Sequence, residues 1–442
     1  MLKIIKHLMP EWMYERLIGQ WGDGFKKYFM NTSWMFFGQM FYLLMTFFIG
    51  AWVARYLGPT NYGIANYVFA FVGIFGFIAN LGIGTILARD LVKHPEKREA
   101  LMGTSFILLF CGGIIAFLSV VISAFIFEPS FFLRNLIILY SSTFIWSGFV
   151  IISTFFQSSV QAKKNVSVSM ISTTAASVLK VMLIVYGKGV TWLIFILVFE
   201  SLLNAAMSFY IYRKNGYNFR HWNFEREIAR DMLWGGLFLM LAAGASFLFL
   251  KVDQIMIKWY LGETSVGFYA AAVRLVEIWY FIPGIICSSL LPAIVNAKKV
   301  SEKIYKDRLQ KLYMLLAFIG VIIAVPSTFF APWAIKLLFG NAYMEAVPIL
   351  RIYVWSGIGL FTLWGLQQYF LSENQLKVIF YLYLFPMILN ILLNFLLISK
   401  FGLTGAAWAT LISYSAAPIL ALSFMGAHKS RSASRVGISR EI

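Results

Sequence analysis

Along most of the chain the apolar positions come in long blocks, not in alternation and not as one stripe of a helix. From residue 32 to residue 425, apolar runs of eighteen or more residues recur, each long enough as a helix to cross a hydrocarbon core of about 30 Å. Twelve spans are predicted, near 32–54, 64–88, 103–127, 132–157, 166–187, 191–212, 232–257, 266–296, 311–331, 346–370, 377–399 and 402–425. In lipid a helix satisfies its own backbone polar groups, so the pattern predicts an all-α polytopic membrane protein. The span at 266–296 exceeds what a bilayer needs and is predicted to tilt or to bend at Pro283. Glycine and proline mark the connections, as at Gly58-Pro59 and Gly402–Gly405.

The pattern repeats. Tyr56-Leu57-Gly58-x-Thr60-x-x-Gly63 matches Tyr260-Leu261-Gly262-x-Thr264-x-x-Gly267, 204 residues later. At the same offset Val72, Ile74, Phe77 and Ile78 meet Val276, Ile278, Phe281 and Ile282, giving nine identities in twenty-three ungapped positions. Apolar coincidences between membrane helices are common, whereas a shared Tyr-Leu-Gly turn is not. Two six-helix bundles related by a parallel internal repeat are expected, a frequent build for secondary transporters. They would occupy 31–212 and 232–425, joined by a cytoplasmic linker at 213–231. An amphipathic segment at 1–30 would lie on the inner membrane surface. A cytoplasmic tail at 426–442, Ser/Arg-rich from His428, would be irregular.

Composition agrees with the pattern: 60% of residues are hydrophobic and 13% charged, about half the charge fraction of a soluble domain. With the N-terminus inside, 27 of the 37 basic residues fall in inside segments and six outside, which places both ends in the cytoplasm. The same bias explains the net charge of +18 without nucleic-acid binding. The two cysteines, Cys111 and Cys287, lie within spans and offer no metal spacing, and no cofactor motif or Walker A pattern occurs. All four histidines fall in inside segments, so a membrane-buried histidine relay is not expected. No outside connection exceeds about fourteen residues, which disfavours a glycan polymerase or ligase and points to no enzyme.

Candidate chemistry rests on ionisable residues inside the spans: Lys180, Glu200, Lys251, Asp253, Arg274, Glu277 and Arg351. Each costs about 2.5–3.5 kcal/mol at mid-membrane, so each must pair, snorkel or face water. Arg274 and Glu277, at i,i+3, can pair on one helix face. Asp253 and Arg274 sit at similar depth beside the Leu261–Ser265 turn, where a cross-helix pair is expected, and Lys251 is expected to snorkel. Lys180, Glu200 and Arg351, on three helices, are expected to line a cavity with a cationic excess, suited to a lipid-linked phosphate.

The residues Asn31-Thr32-Ser33-Trp34, Ala54-Arg55-Tyr56-Leu57-Gly58-Pro59, Lys251-Val252-Asp253-Gln254-Ile255-Met256 and the run from Arg274 to Pro283 carry a family signature. Through them the chain resembles the bacterial polysaccharide flippases, the Wzx-type O-antigen translocases, over nearly all of residues 31–425. Their superfamily also holds multidrug extrusion carriers and lipid II flippases. The resemblance implies a two-bundle carrier in the inner membrane that moves undecaprenyl-pyrophosphate-linked oligosaccharide to the periplasmic leaflet by ion-coupled alternating access. A polysaccharide polymerase and a chain-length regulator would be its partners. On this reading Arg55, Lys180 and Arg351 bind the anionic headgroup, while Glu200, Asp253, Arg274 and Glu277 serve coupling or gating. An ion-coupled exporter of small amphiphiles is the alternative.

Overall fold

The structure, a computed structural model, describes residues 23–373 and 375–438. Fifteen α-helices follow one another: α1 (Asp23–Gly73), α2 (Gly76–Asn80), α3 (Ile83–Lys93), α4 (Arg98–Phe127), α5 (Phe131–Ser141), α6 (Val150–Ser158), α7 (Ala162–Val185), α8 (Val190–Lys214), α9 (Arg226–Leu261), α10 (Glu263–Glu277), α11 (Phe281–Val300), α12 (Glu302–Leu338), α13 (Ala346–Tyr353), α14 (Ser356–Ser372) and α15 (Leu376–Ile438). Among the described residues, ten continuous helical stretches are long and apolar enough to cross a membrane. The two longest, Lys26–Gly73 and Leu376–Met425, each contain one non-helical glycine, Gly58 and Gly402. The second therefore holds two spans, and the first holds one span and the start of the next, which α2 and α3 complete, so the expected twelve are accounted for.

The glycines show why the chain turns where it does. Gly58 has φ 72° and ψ 171°, and Gly262, its counterpart in the repeat, has φ 81° and ψ 177°. A positive φ with an extended ψ is a region that essentially only glycine enters. The repeat read in the sequence is thus a repeat of backbone conformation.

Three spans are less regular than their hydropathy suggests. The span expected at 64–88 is divided among the end of α1, α2 and α3, with Leu81 and Gly82 both at positive φ between the last two. The span expected at 132–157 carries a 3-10 stretch, Ser142–Phe149, between α5 and α6. There the hydroxyls of Ser141, Ser142 and Thr143 each donate to the carbonyl three residues back, favouring the tighter helix. The bend expected at Pro283 lies one turn earlier, as the 3-10 turn Ile278–Tyr280, because the proline ring disrupts the turn preceding it.

Residues 1–22 of the amphipathic segment lie outside the described residues, and from Asp23 the chain is already α1. The last helix continues past His428 to Ile438, where an irregular tail was expected. No proline interrupts it after Pro418, and Ala, Arg and Ser tolerate a helix.

Packing divides the chain into two compact units. One runs up to Gly50 and takes in Ile78–Pro129 and Ile138–Gly236. The other comprises Ala51–Phe77, Ser130–Ile137 and the chain from Leu237 onward. In the first unit the connection between α8 and α9 is pinned: Trp222 Nε1 donates to Tyr212 Oη at 3.1 Å, and the Glu225 amide donates to Thr104 Oγ1 at 2.9 Å. The core of the second unit gathers Phe249, Leu312, Leu316, Leu360, Leu366 and Tyr414 from α9, α12, α14 and α15.

Candidate functional site

In the first unit, α7 and α8 lie side by side, and the lysine and glutamate that each carries meet. Lys180 Nζ stands 3.0 Å from Glu200 Oε2, and Thr173 Oγ1 donates to Glu200 Oε1 at 3.4 Å. The two side chains are 12% and 19% exposed. Lys180 is therefore not a bare cation; its charge is balanced one helix away. Ser172 Oγ, beside Thr173, is buried without a hydrogen-bond partner among the described residues.

In the second unit the centre is Asp253 on α9, 1% exposed. Tyr269 Oη from α10 and Thr410 Oγ1 from α15 donate to its Oδ2 at 2.6 and 2.7 Å. Asn394 Nδ2, also from α15 but before the Gly402 break, donates to Oδ1 at 2.9 Å. Asn394 Nδ2 lies equally close to Asn390 Oδ1, and Asn390 donates to Ser413 Oγ at 3.1 Å. Asn394 Oδ1 is buried and without a hydrogen-bond partner among the described residues. Four helical segments thus converge on one carboxylate through hydroxyls and amides. Two hydroxyls and one amide N–H donate to the carboxylate, and a proton or hard cation arriving there would have to displace them.

The expected partner of Asp253 was Arg274; hydroxyls and an amide hold it instead. Lys251 does not snorkel: its Nζ lies 2.6 Å from Glu277 Oε1, tying α9 to the end of α10, with both side chains about one-quarter exposed. Arg274 is half-buried one turn before Glu277. Arg351 on α13 is exposed, and its Nε donates to Thr328 O on α12 at 3.2 Å. Arg55 is exposed at the C-terminal end of the first span and packs along the Gly340 backbone.

The two repeat-related turns meet inside the second unit. Thr60 Oγ1 and Thr264 Oγ1, 204 positions apart, are 2.8 Å from one another. A Cβ on Gly63 would fall 1.8 Å from Glu263 O, and one on Gly267 would fall 1.9 Å from Pro59 O. Pro59 and Glu263 are themselves separated by the repeat offset, so the contact is reciprocal, as two-fold related surfaces require. Tyr343 Oη donates to Ala54 O at 2.7 Å and fastens the hairpin after α12 to the same place.

Sequence reasoning passed over Tyr269, Thr410 and the role of the Asn390/Asn394 pair. The asparagines left a signal: two amides at i,i+4 on one face of an apolar span need partners. Tyr269 stood only in the family-like pattern Gly267-x-Tyr269, with no role attached, and Thr410 left no signal, being unremarkable alone in such a helix.

A polytopic helical protein with a duplicated fold and polar clusters buried between its helices is of the transporter class. The family model described as "Polysaccharide biosynthesis protein" matches residues 29–298. The chain belongs to that family, in agreement with the flippase resemblance carried by its sequence. Among curated proteins it is 23% identical over 419 residues to a "Putative O-antigen transporter" of Shigella flexneri, covering 88% of this chain and 94% of that one. It is 21% identical to the capsular polysaccharide biosynthesis protein CapF of Staphylococcus aureus, covering 87% and 95%. Among solved structures, an inward-facing multidrug resistance MATE family transporter aligns with a TM-score of 0.72 at 16% identity, over 88% of this chain and 95% of that one. The lipid II flippase MurJ, in an inward closed conformation, aligns with 0.67 at 16%, over 90% and 87%. These likenesses show the fold.

Proposed function

We propose that this protein is a flippase for lipid-linked oligosaccharide, carrying undecaprenyl-pyrophosphate-linked repeat units from the cytoplasmic to the periplasmic leaflet of the inner membrane. Both termini face the cytoplasm on this reading, following the basic residues. A polymerase and a chain-length regulator would receive and govern the product. Membership of a polysaccharide biosynthesis family, with relatives named for O-antigen transport and capsule biosynthesis, supports the substrate class.

The observation that carries the mechanism is Asp253, a buried carboxylate without an ion pair among the described residues and ringed by Tyr269, Thr410 and Asn394. An ion or proton arriving there exchanges one set of contacts among α9, α10 and α15 for another. Tyr269 lies two residues beyond Gly267 and five beyond Thr264, on the helix that closes the outer turn. Occupancy of the Asp253 cluster would thereby bias whether the turns at Gly63 and Gly267 stay locked, as ion-coupled alternating access requires. Glu200, Arg274 and Glu277 are the further candidates for coupling or gating. Arg55 and Lys180 are the candidate cations for the diphosphate; Lys180 would exchange its Glu200 partner for the substrate anion. Arg351, expected with them, sits at the mouth of an apolar groove.

The test is complementation of a strain lacking its own flippase, following the leaflet that holds the lipid-linked repeat. Asp253→Asn and Lys180→Ala are expected to leave repeats on the cytoplasmic leaflet while wild type clears them. Repeats that reach the periplasm in the deletion strain but stay unjoined would overturn the flippase reading. The Lys180–Glu200 pair, by removing one bare cation, keeps an exporter of small amphiphiles as the second reading; resistance to cationic dyes on expression would favour it.

A further inference from the structure

A groove of about 610 Å³ opens in the second unit between α13, α14 and α15. Arg351 stands at one end, Thr362 and Pro418 at the other, and Trp355, Trp408 and Leu411 form its walls. Its size is within the range of about 300–1,000 Å³ usual for small-ligand sites. Neighbouring Phe329, Phe330, Ile412 and Ile419 are large, apolar and exposed, as befits a surface bathed in lipid.

Arg351 is held in place by a specific device. Residue 332 is proline and has no N–H, so within α12 the carbonyl of Thr328 lacks its i+4 donor. Arg351 Nε supplies that bond at 3.2 Å, and Trp355 Nε1 donates to the Thr328 hydroxyl at 3.1 Å. The guanidinium is thereby anchored through one nitrogen at the mouth of the groove. It forms no ion pair among the described residues, and its terminal nitrogens form the planar fork that grips phosphate oxygens. From Arg351 to Thr362 the helical rise is about 16 Å, roughly half of a 30 Å hydrocarbon core. The groove is one leaflet deep.

We propose that this groove binds an anionic glycerophospholipid of the leaflet opposite the basic loops, with its phosphate on Arg351 and one acyl chain along Trp355, Trp408 and Leu411. Charge complementarity selects the phosphate, and the one-leaflet depth suits an acyl chain over a longer isoprenoid. Bound there, the lipid bridges α13 to α15 and stabilises that packing.

The test is native mass spectrometry of the full chain in neutral detergent, titrated with phosphatidylglycerol, phosphatidylcholine and undecaprenyl phosphate. One phosphatidylglycerol per chain is expected to be retained, at least about tenfold more tightly than phosphatidylcholine. Arg351→Gln should weaken it about tenfold or more, and Ser415→Trp, which fills the groove, should abolish it. Ser415→Trp should keep the lipid-free melting temperature of the wild type, while Arg351→Gln should lower it by a few degrees, because the Thr328 carbonyl loses its donor. Equal retention of the two phospholipids, or retention unchanged in both variants, would overturn the proposal. Preferential displacement by undecaprenyl phosphate that depends on Arg351 would also overturn it, assigning the groove to the substrate's own carrier. None of these outcomes depends on transport, so the flippase reading stands or falls separately by complementation.

Discussion

At the scale of single residues, what decides each buried charge is its partner. Asp253 keeps three donors from three helical segments, and an amide of the same size can keep part of that network without the charge. Asp253→Asn is therefore expected to fold, with a melting temperature within a few degrees of wild type, and to lose transport by tenfold or more in the leaflet assay. Asp253→Leu is expected to destabilise by about 1–3 kcal/mol in all, because Tyr269, Thr410 and Asn394 lose their shared acceptor, although the Tyr269 and Thr410 hydroxyls keep one another and Thr410 keeps the Ala406 carbonyl. The Lys180–Glu200 pair makes a different prediction. Removing one member strands the other among apolar residues, at about 3–5 kcal/mol for a fully buried pair and less for these partly exposed side chains. The double variant Lys180→Met/Glu200→Met should melt higher than either single one. Equal melting of all three would show that the pair is solvated.

At the scale of elements, the reciprocal turn contact is the feature open to direct test. Thr60 and Thr264 hydroxyls lie 2.8 Å apart, so cysteines at both positions should bridge. In a background with Cys111 and Cys287 replaced by serine, oxidation of Thr60→Cys/Thr264→Cys is expected to stop transport and reduction to restore it. A cross-linked protein that transports normally would show that the turns never separate. Gly58 and Gly262 hold a conformation closed to other residues, so alanine at either should cost about 1–3 kcal/mol, read as a lowered melting temperature. The elements themselves were largely legible in the sequence: long apolar runs, and Gly-Pro or Tyr-Leu-Gly at their ends. The breaks within spans were not. The 3-10 stretch at Ser142–Phe149 is shaped by hydroxyl back-bonding and by α4, whose Gly113 approaches the Phe144 carbonyl. Hydropathy weighs neither effect.

At the scale of the whole molecule, the duplication is the organising fact. Two copies of one turn, 204 residues apart in sequence, lie against each other with each glycine accommodating the other's carbonyl. Adding a side chain to either glycine should wedge the turns open. Gly63→Val is expected to slow disulfide formation between Thr60→Cys and Thr264→Cys, and an unchanged rate would count against a closed contact between the turns.

The sequence by itself determined the membrane class, the count of spans, the repeat and the turn glycines. Each of these depends on local composition or on backbone angles that a single residue type permits. Only the tertiary structure decided the partners of the buried charges. Lys251 meets Glu277 across 26 residues, and Asp253 meets Thr410 across 157. A charge in an apolar helix announces that it needs a partner, but which helix supplies it follows from packing between faces that hydropathy does not distinguish.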